Sequence, residues 1–230
     1  MNNIAIIPAR GGSKRIPKKN IRDFCGKPII AYSIETALES NLFGEVMIST
    51  DDDEIAEVAK KYGAKIPFMR SAKNADDFAT TYDVLQEVLH TYKQKGKEFE
   101  YGCCVYPTAP FITAKKVTEA YNLLTEKKFD TVLTVVAFSY PIWRSLKKED
   151  DKITMWWPEN VNKRSQDLPI AYHDAGQFYF FNTEQILKTG LLFTSNVGAI
   201  VTDELHVQDI DSLQDWKLAE LKYQLMRMHA

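Results

Sequence analysis

No apolar run in this sequence approaches the ~20 residues that a membrane-spanning helix needs, so no membrane partner is expected. Cysteine is scarce. Cys25, Cys103 and Cys104 are the full complement, and they form no C-x-x-C pair. That excludes a zinc ligand set and a disulfide framework, and it fits a reduced, cytoplasmic protein. Charge of either sign is barely in surplus: 29 basic and 31 acidic side chains leave a net charge of −2. Nucleic acid is therefore not expected as a partner, and any anion site has to be local. The P-loop pattern G-x-x-x-x-G-K-[ST] is missing, as is the dinucleotide pattern G-x-G-x-x-G. Their absence argues against an ATPase of that class and against a nicotinamide-dependent dehydrogenase. No internal repeat or low-complexity tract is present. No signal peptide is expected either, since Met1-Asn2-Asn3 runs straight into the strand-like Ile4–Pro8.

What is present suits one large α/β domain with a small appended lobe. The chain has 230 residues, 45% hydrophobic and 26% charged, enough for a substantial core. Apolar strand-like runs alternate with helical spacing. Ile4–Pro8, Val46–Ile48, Cys103–Tyr106 and Thr131–Ala137 read as strands. Between them, helices are expected over residues 28–42, 55–62, from Thr81 as N-cap, and from Thr113 as N-cap. Strands this apolar, separated by helices, predict a mostly parallel sheet covered on both faces. Ligands in such sheets bind at the carboxyl ends of the strands. The rhythm breaks near residue 138. Residues 139–176, rich in loops and tryptophan, read as an inserted lobe, and residues 1–138 with 177–230 as the main domain. Gln177–Asn182 and Leu205–Asp209 are expected as strands. A final helix is expected from near Ser212, with Leu218, Leu221, Leu225 and Met228 on one face.

The loop after the first strand is the strongest chemical signal. It reads Pro8-Ala9-Arg10-Gly11-Gly12-Ser13-Lys14-Arg15-Ile16-Pro17-Lys18-Lys19-Asn20. Two glycines let successive N–H groups converge as an anion nest. Five cations within ten residues can neutralise a polyphosphate. The alternative for such a loop is a solvated basic turn, and its place after the first strand of a parallel sheet favours phosphate. The second signal is Asp209-Ile210-Asp211. On an extended chain residues two apart point the same way, so both carboxylates can face one Mg²⁺. Alone, this pattern equally describes two acids at a strand end. Arg70, followed by the polar stretch 74–81, can present groups to a base edge, or can be a plain loop with a capping threonine. Arg164, in the run Arg164–Pro169, can hold a carboxylate. His173 reads as a scaffold or substrate contact rather than an acid–base group.

Taken in order, these motifs resemble the signature of the acylneuraminate cytidylyltransferases, the CMP-sialic acid synthetases. The resemblance rests on Pro8–Lys14 closing with Lys19-Asn20, Ser49-Thr50-Asp51, Arg70 with Asp77–Thr81, Pro107-Thr108-Ala109-Pro110 and Asp209-Ile210-Asp211. Within that family the chain looks most like the pseudaminic acid branch, through Arg164–Pro169 and Tyr172–Tyr179. The sialic acid branch usually has glutamine at Tyr106, arginine at His173 and asparagine at Ala175, so the departures fall where the family contacts its sugar. The resemblance implies a Rossmann-like fold and a homodimer in which the lobe reaches the neighbouring subunit. It implies transfer of CMP from CTP to a nonulosonic acid with release of pyrophosphate, Mg²⁺ being held by Asp209 and Asp211. Arg10, Gly11, Gly12, Ser13, Lys14 and Lys19 would surround the phosphates, and Asn20 and Thr81 the ribose. Arg70 with Ala79 and Thr80 would read cytosine. Tyr106, Thr108, Arg144, Arg164, His173 and Gln177 would meet the sugar. Lys19, Arg10, Asp209 and Asp211 would carry catalysis. The same chemistry on N-acetylneuraminate, legionaminate or ketodeoxyoctonate stays open, as does nucleotidyl transfer to a sugar phosphate. A dead nucleotide-binding scaffold would be expected to have lost Lys19, Asp209 or Asp211.

Overall fold

A computed structural model of the chain describes residues 2–228. In chain order the elements are β1 (Asn3–Pro8), β2 (Asp23–Phe24), β3 (Lys27–Pro28), α1 (Ile29–Glu39), β4 (Glu45–Ser49), α2 (Asp53–Lys61), α3 (Thr81–Gln94) and β5 (Tyr101–Val105). Then come α4 (Ala114–Lys127), β6 (Thr131–Ala137), β7 (Leu146–Glu149), β8 (Lys152–Met155), β9 (Tyr172–Asn182), α5 (Thr183–Thr189), β10 (Val197–Val201) and α6 (Leu213–Met228). Six strands form the main sheet in the order β10-β6-β9-β5-β1-β4. Five run the same way, and β9 runs against both neighbours.

The period of two along β1 sorts side chains onto two helical layers. Ala5 and Ile7 pack with Ile30 and Ile34 of α1, Ile55 and Ala59 of α2, and Val117, Ala120 and Leu124 of α4. Ile4 and Ile6 face the other way, onto Leu85, Val88, Leu89 and Tyr92 of α3 and Ile186 of α5. The expected α/β architecture, helices on both faces of a mostly parallel sheet, is what the structure shows. A third cluster joins the first loop to the end of the chain: Ile16 and Phe24 pack with Ile210, Trp216 and Ala219. That cluster draws Asp209 and Asp211 towards the glycine-rich loop.

Three expectations about elements need correction, and a fourth gains an orientation. Thr80, not Thr81, caps α3, because its hydroxyl accepts from the Asp83 amide while Asp83 accepts from the Thr80 amide. This reciprocal box satisfies two otherwise free N–H groups. The return strand begins at Tyr172, not Gln177, and Tyr172 pairs with Ala137. Residues 172–176 therefore lie on the sheet, and the separate β7–β8 hairpin occupies 146–155. The stretch Leu205–Asp209 forms no strand. It carries a single 3-10 turn, Glu204–His206, whereas the edge strand is β10, upstream. Finally, the apolar residues of α6 share a face, but it is the outer one. Leu218, Leu221, Leu225 and Met228 are exposed, while Trp216 and Ala219 are buried.

Candidate active site

A cleft of about 630 Å³ opens at the carboxyl end of β1. Arg10, Gly12, Ser13, Lys14, Lys19 and Asn20 line one side, Tyr106 and Thr108 another, and Asp209 and Asp211 close it. Most of the residues expected at phosphates and metal thus share one space, although they span 200 positions of sequence.

Local contacts explain how the loop is held. The buried Asn20 side chain donates to the Arg10 carbonyl at 3.0 Å, closing the loop on itself. Gly11 is required sterically, since a Cβ there would lie 2.6 Å from Asp52 Oδ2. Asp52 is engaged as the cap of α2, accepting from the Ile55 amide. Gly12 faces open space, leaving room for a ligand beside the backbone. The expected nest of amides is only partly available. Gly11 N–H donates to Asp51 Oδ1 at 3.0 Å, and Ser13 N–H to the Gly11 carbonyl at 2.8 Å. The charged side chains are therefore the loop's main offering to an anion.

Those side chains are held by acids: Asp211, expected at the site, and Asp77, for which the sequence suggested no pairing with this loop. Asp77 pairs with both Arg10, at 2.6 Å, and Lys14. Arg10 also donates to the Asp76 carbonyl at 2.8 Å. Asp211 pairs with Arg15 at 2.7 Å and lies 3.8 Å from Lys19. Arg15 lines the cleft as well. Lys19 Nζ donates to the Ile210 carbonyl at 2.7 Å, tying the first loop to the Asp209–Asp211 segment. Burial lowers the Lys19 pKa below the usual lysine value, against the raising effect of Asp211 and Asp209. Burial, then the neighbouring Asp211 carboxylate, raises Asp209 above the usual carboxylate range, with Lys19 opposing. Two carboxylates crowded in this way, with cations close by, match the electrostatics of a cation or polyphosphate site. Asp215 supports the pair from behind. Its carboxylate accepts from the Asp211 amide at 3.1 Å and the Ser212 amide at 2.7 Å.

Several expected site residues are placed elsewhere. Arg70 is buried and turned inward: Nε donates to Ser49 Oγ at 3.0 Å and the guanidinium also reaches the Ser49 carbonyl. It braces the end of β4 and does not line the cleft. The Ala79 N–H is taken by Asp76 at 2.8 Å and the Thr80 N–H by Asp83 at 2.8 Å, so neither amide is free for a base edge. Thr81 meets the cleft wall indirectly, its hydroxyl 3.1 Å from the Tyr106 hydroxyl. Gln177 is buried; its amide donates to the His206 carbonyl at 2.6 Å, and its Oε1 has no partner among the described residues. Arg164 pairs with Asp167 at 2.8 Å on the lobe, and Arg144 lies in a short 3-10 turn there. His173 lines a second cavity of about 280 Å³ beside the cleft, its ring 4.7 Å from Phe138. Asp209 borders both cavities.

Comparison with known proteins agrees with this geometry. Residues 4–203 match the protein family described as Cytidylyltransferase. The chain is 42% identical to a pseudaminic acid cytidylyltransferase of Campylobacter jejuni, over 98% of this chain and 97% of that protein. It is 31% identical to the CMP-N,N'-diacetyllegionaminic acid synthase of Legionella pneumophila, over 96% and 95% of the two chains. In fold it resembles CMP:2-keto-3-deoxy-manno-octonic acid synthetase complexed with CTP, with a TM-score of 0.69 at 18% identity, covering 99% of this chain and 100% of the other. A glycine-rich cationic loop facing paired carboxylates, on this sheet and with these relatives, shows that the chain belongs to the cytidylyltransferase family.

Proposed function

We propose that this chain transfers CMP from CTP to the anomeric hydroxyl of a nonulosonic acid, most specifically pseudaminic acid, and releases pyrophosphate. One observation carries the reading: Lys19, Arg10 and Lys14 face Asp209 and Asp211 across a single cleft. The identity to the Campylobacter jejuni protein supports the choice of acceptor. Arg10, Ser13, Lys14 and Lys19 bind the triphosphate, displacing Asp77 from the two cations it holds. Asn20 fixes the loop, and Tyr106 and Thr108 form the wall facing the acceptor.

Asp209 and Asp211 suit Mg²⁺. Both are hard oxygen donors on one cleft, and Mg²⁺ is commonly held by one or two carboxylates with water and phosphate oxygens completing its shell. When bound, the ion neutralises phosphate charge and polarises the phosphoryl group under attack. The chain's own residues do the rest by position and charge. Lys19, held by Ile210, presents an ammonium to the phosphates as charge shifts to the departing pyrophosphate. The acceptor oxygen bonds to the α-phosphorus as its proton passes to water, and the bond from that phosphorus to the bridging oxygen breaks, its electron pair leaving with pyrophosphate.

Arg144 and Arg164 lie on the lobe and line neither cavity of their own chain, so a role at the acceptor would require a second subunit. We include a homodimer, and a cytoplasmic setting, in the proposal. The test is pyrophosphate release from CTP and Mg²⁺ with pseudaminic acid and N-acetylneuraminic acid offered in parallel. Release with pseudaminic acid alone is expected. Release with N-acetylneuraminic acid alone refutes the acceptor assignment, and release only with a sugar phosphate refutes the acceptor class.

A further inference from the structure

The cavity beside the main cleft holds a cation that the reaction has not yet used. Lys222 reaches into it from α6. Its ammonium donates to the Glu204 carbonyl at 3.1 Å and the Val207 carbonyl at 2.8 Å. An ammonium carries three protons, so one donor remains. Carbonyl acceptors fix the group without cancelling its charge, and among the described residues no carboxylate pairs with it. The main cleft is different. There Arg10 and Lys14 are paired with Asp77, and Arg15 and Lys19 with Asp211. Those cations face the phosphate side.

Building on the cytidylyl-transfer reading, the acceptor's own charge needs a partner. A nonulosonic acid bears its carboxylate on the same carbon as the attacking hydroxyl. The cation that recognises it must therefore sit next to the carboxylates that border the reacting phosphate. Lys222 meets that condition, because Asp209 borders both cavities. Arg164 does not, being tied to Asp167 on the lobe. The cavity also offers the packed rings of Phe138 and His173 as a wall for a sugar, and the carboxylates of Glu204 and Asp209 among its lining are the charges that Lys222 has to outweigh.

We infer that Lys222 binds the acceptor's carboxylate and so selects a 2-keto sugar acid over a neutral sugar. The test compares wild type with Lys222→Gln and Lys222→Arg, using CTP and Mg²⁺ with the sugar acid and with its carboxamide. Glutamine keeps a donor for the two carbonyls and removes the charge. Losing a hydrogen bond to a charged group should raise the acceptor KM about 10- to 100-fold. The CTP KM and the Tm should stay unchanged, and arginine should restore most of the loss. The preference of wild type for the acid over the carboxamide should disappear in Lys222→Gln. An unshifted acceptor KM overturns the assignment. So does a fall in kcat and Tm with no selective change in acceptor KM, which is the signature of a lysine that only holds the turn. A wild type inactive with every nonulosonic acid overturns the underlying function as well, whereas an active wild type with an unaffected Lys222→Gln overturns the lysine assignment alone.

Discussion

Replacing Lys19 by methionine keeps the apolar stem and removes the charge, which makes it the sharpest probe of the cleft. Two losses follow, and they can be separated. The ammonium donates to the Ile210 carbonyl at 2.7 Å, and its side chain is 23% exposed. A hydrogen bond from a charged donor is worth about 1.5–3 kcal/mol. The contact with Asp211 is longer, at 3.8 Å, and Asp211 is 42% exposed, so it adds less than about 1 kcal/mol. In a chain of this size each kcal/mol moves the melting temperature by roughly 2–4 °C, so a fall of about 3–16 °C is expected. The second loss is catalytic. A single preorganised donor to developing charge is worth about 10²–10³ in turnover, or about 2.7–4 kcal/mol. Lys19→Met should therefore lower kcat by that factor when assayed well below its melting temperature, with CTP, Mg²⁺ and acceptor saturating. Lys19→Arg should recover part of it. The pH profile gives an independent reading. Burial has lowered the Lys19 pKa, so activity that needs the ammonium declines as pH rises through a value below that of free lysine. Lys19→Arg should move that decline upward. A Lys19→Met protein that melts earlier but keeps its turnover within about tenfold would refute the catalytic role and leave only the tie to Ile210.

Asp209→Asn should abolish Mg²⁺-dependent activity yet raise the melting temperature at neutral pH. The sign follows from its raised pKa: the folded state disfavours the charged form, so ionisation costs stability once pH exceeds the folded value. A lowered melting temperature at pH 7 would contradict this. Asp77→Asn frees Arg10 and Lys14 and should lower the KM for CTP severalfold at low salt and less at high salt, because the competing pairs are exposed and screened. An unchanged or higher KM would remove the idea that Asp77 occupies the place of a phosphate. Gly102→Ala places a Cβ 2.4 Å from the buried Phe181 ring, and overpacking of that kind costs about 1–3 kcal/mol or more. Thermal melting should show a loss of several degrees with the CTP KM unaltered.

Part of the site was legible because it is local. Two glycines and five cations in ten residues announce an anion loop wherever the chain goes, and Asp209-Ile210-Asp211 sends two carboxylates one way by the period of an extended strand. Arg70 shows the limit of this reasoning. Its charge suggested a ligand, but only the packed structure reveals that Ser49 claims it. Asp77 was in view as part of a motif, but its pairing with Arg10 and Lys14 bridges more than sixty residues and leaves no local mark. Gln177 looked like a substrate contact and instead secures the 204–206 turn. Lys222 gave no signal, since a lysine on a terminal helix is usually a solvated charge.

The sequence by itself determined the alternation of strands and helices, the cap at Thr113, and the chemistry of the first loop. These depend on steric limits and hydrogen bonds within a few residues. Tertiary structure decided the rest. Helical spacing put Leu218, Leu221, Leu225 and Met228 on one face of α6, but the docking of Trp216 and Ala219 onto Phe24 and Ile16 decided that this face points outward. Strand order decided that β9 enters antiparallel between β5 and β6, which places His173 and Gly176 beside Asp209. No short-range rule fixes such neighbours, because they come from burying two apolar sheet faces at once, and that condition involves the whole chain.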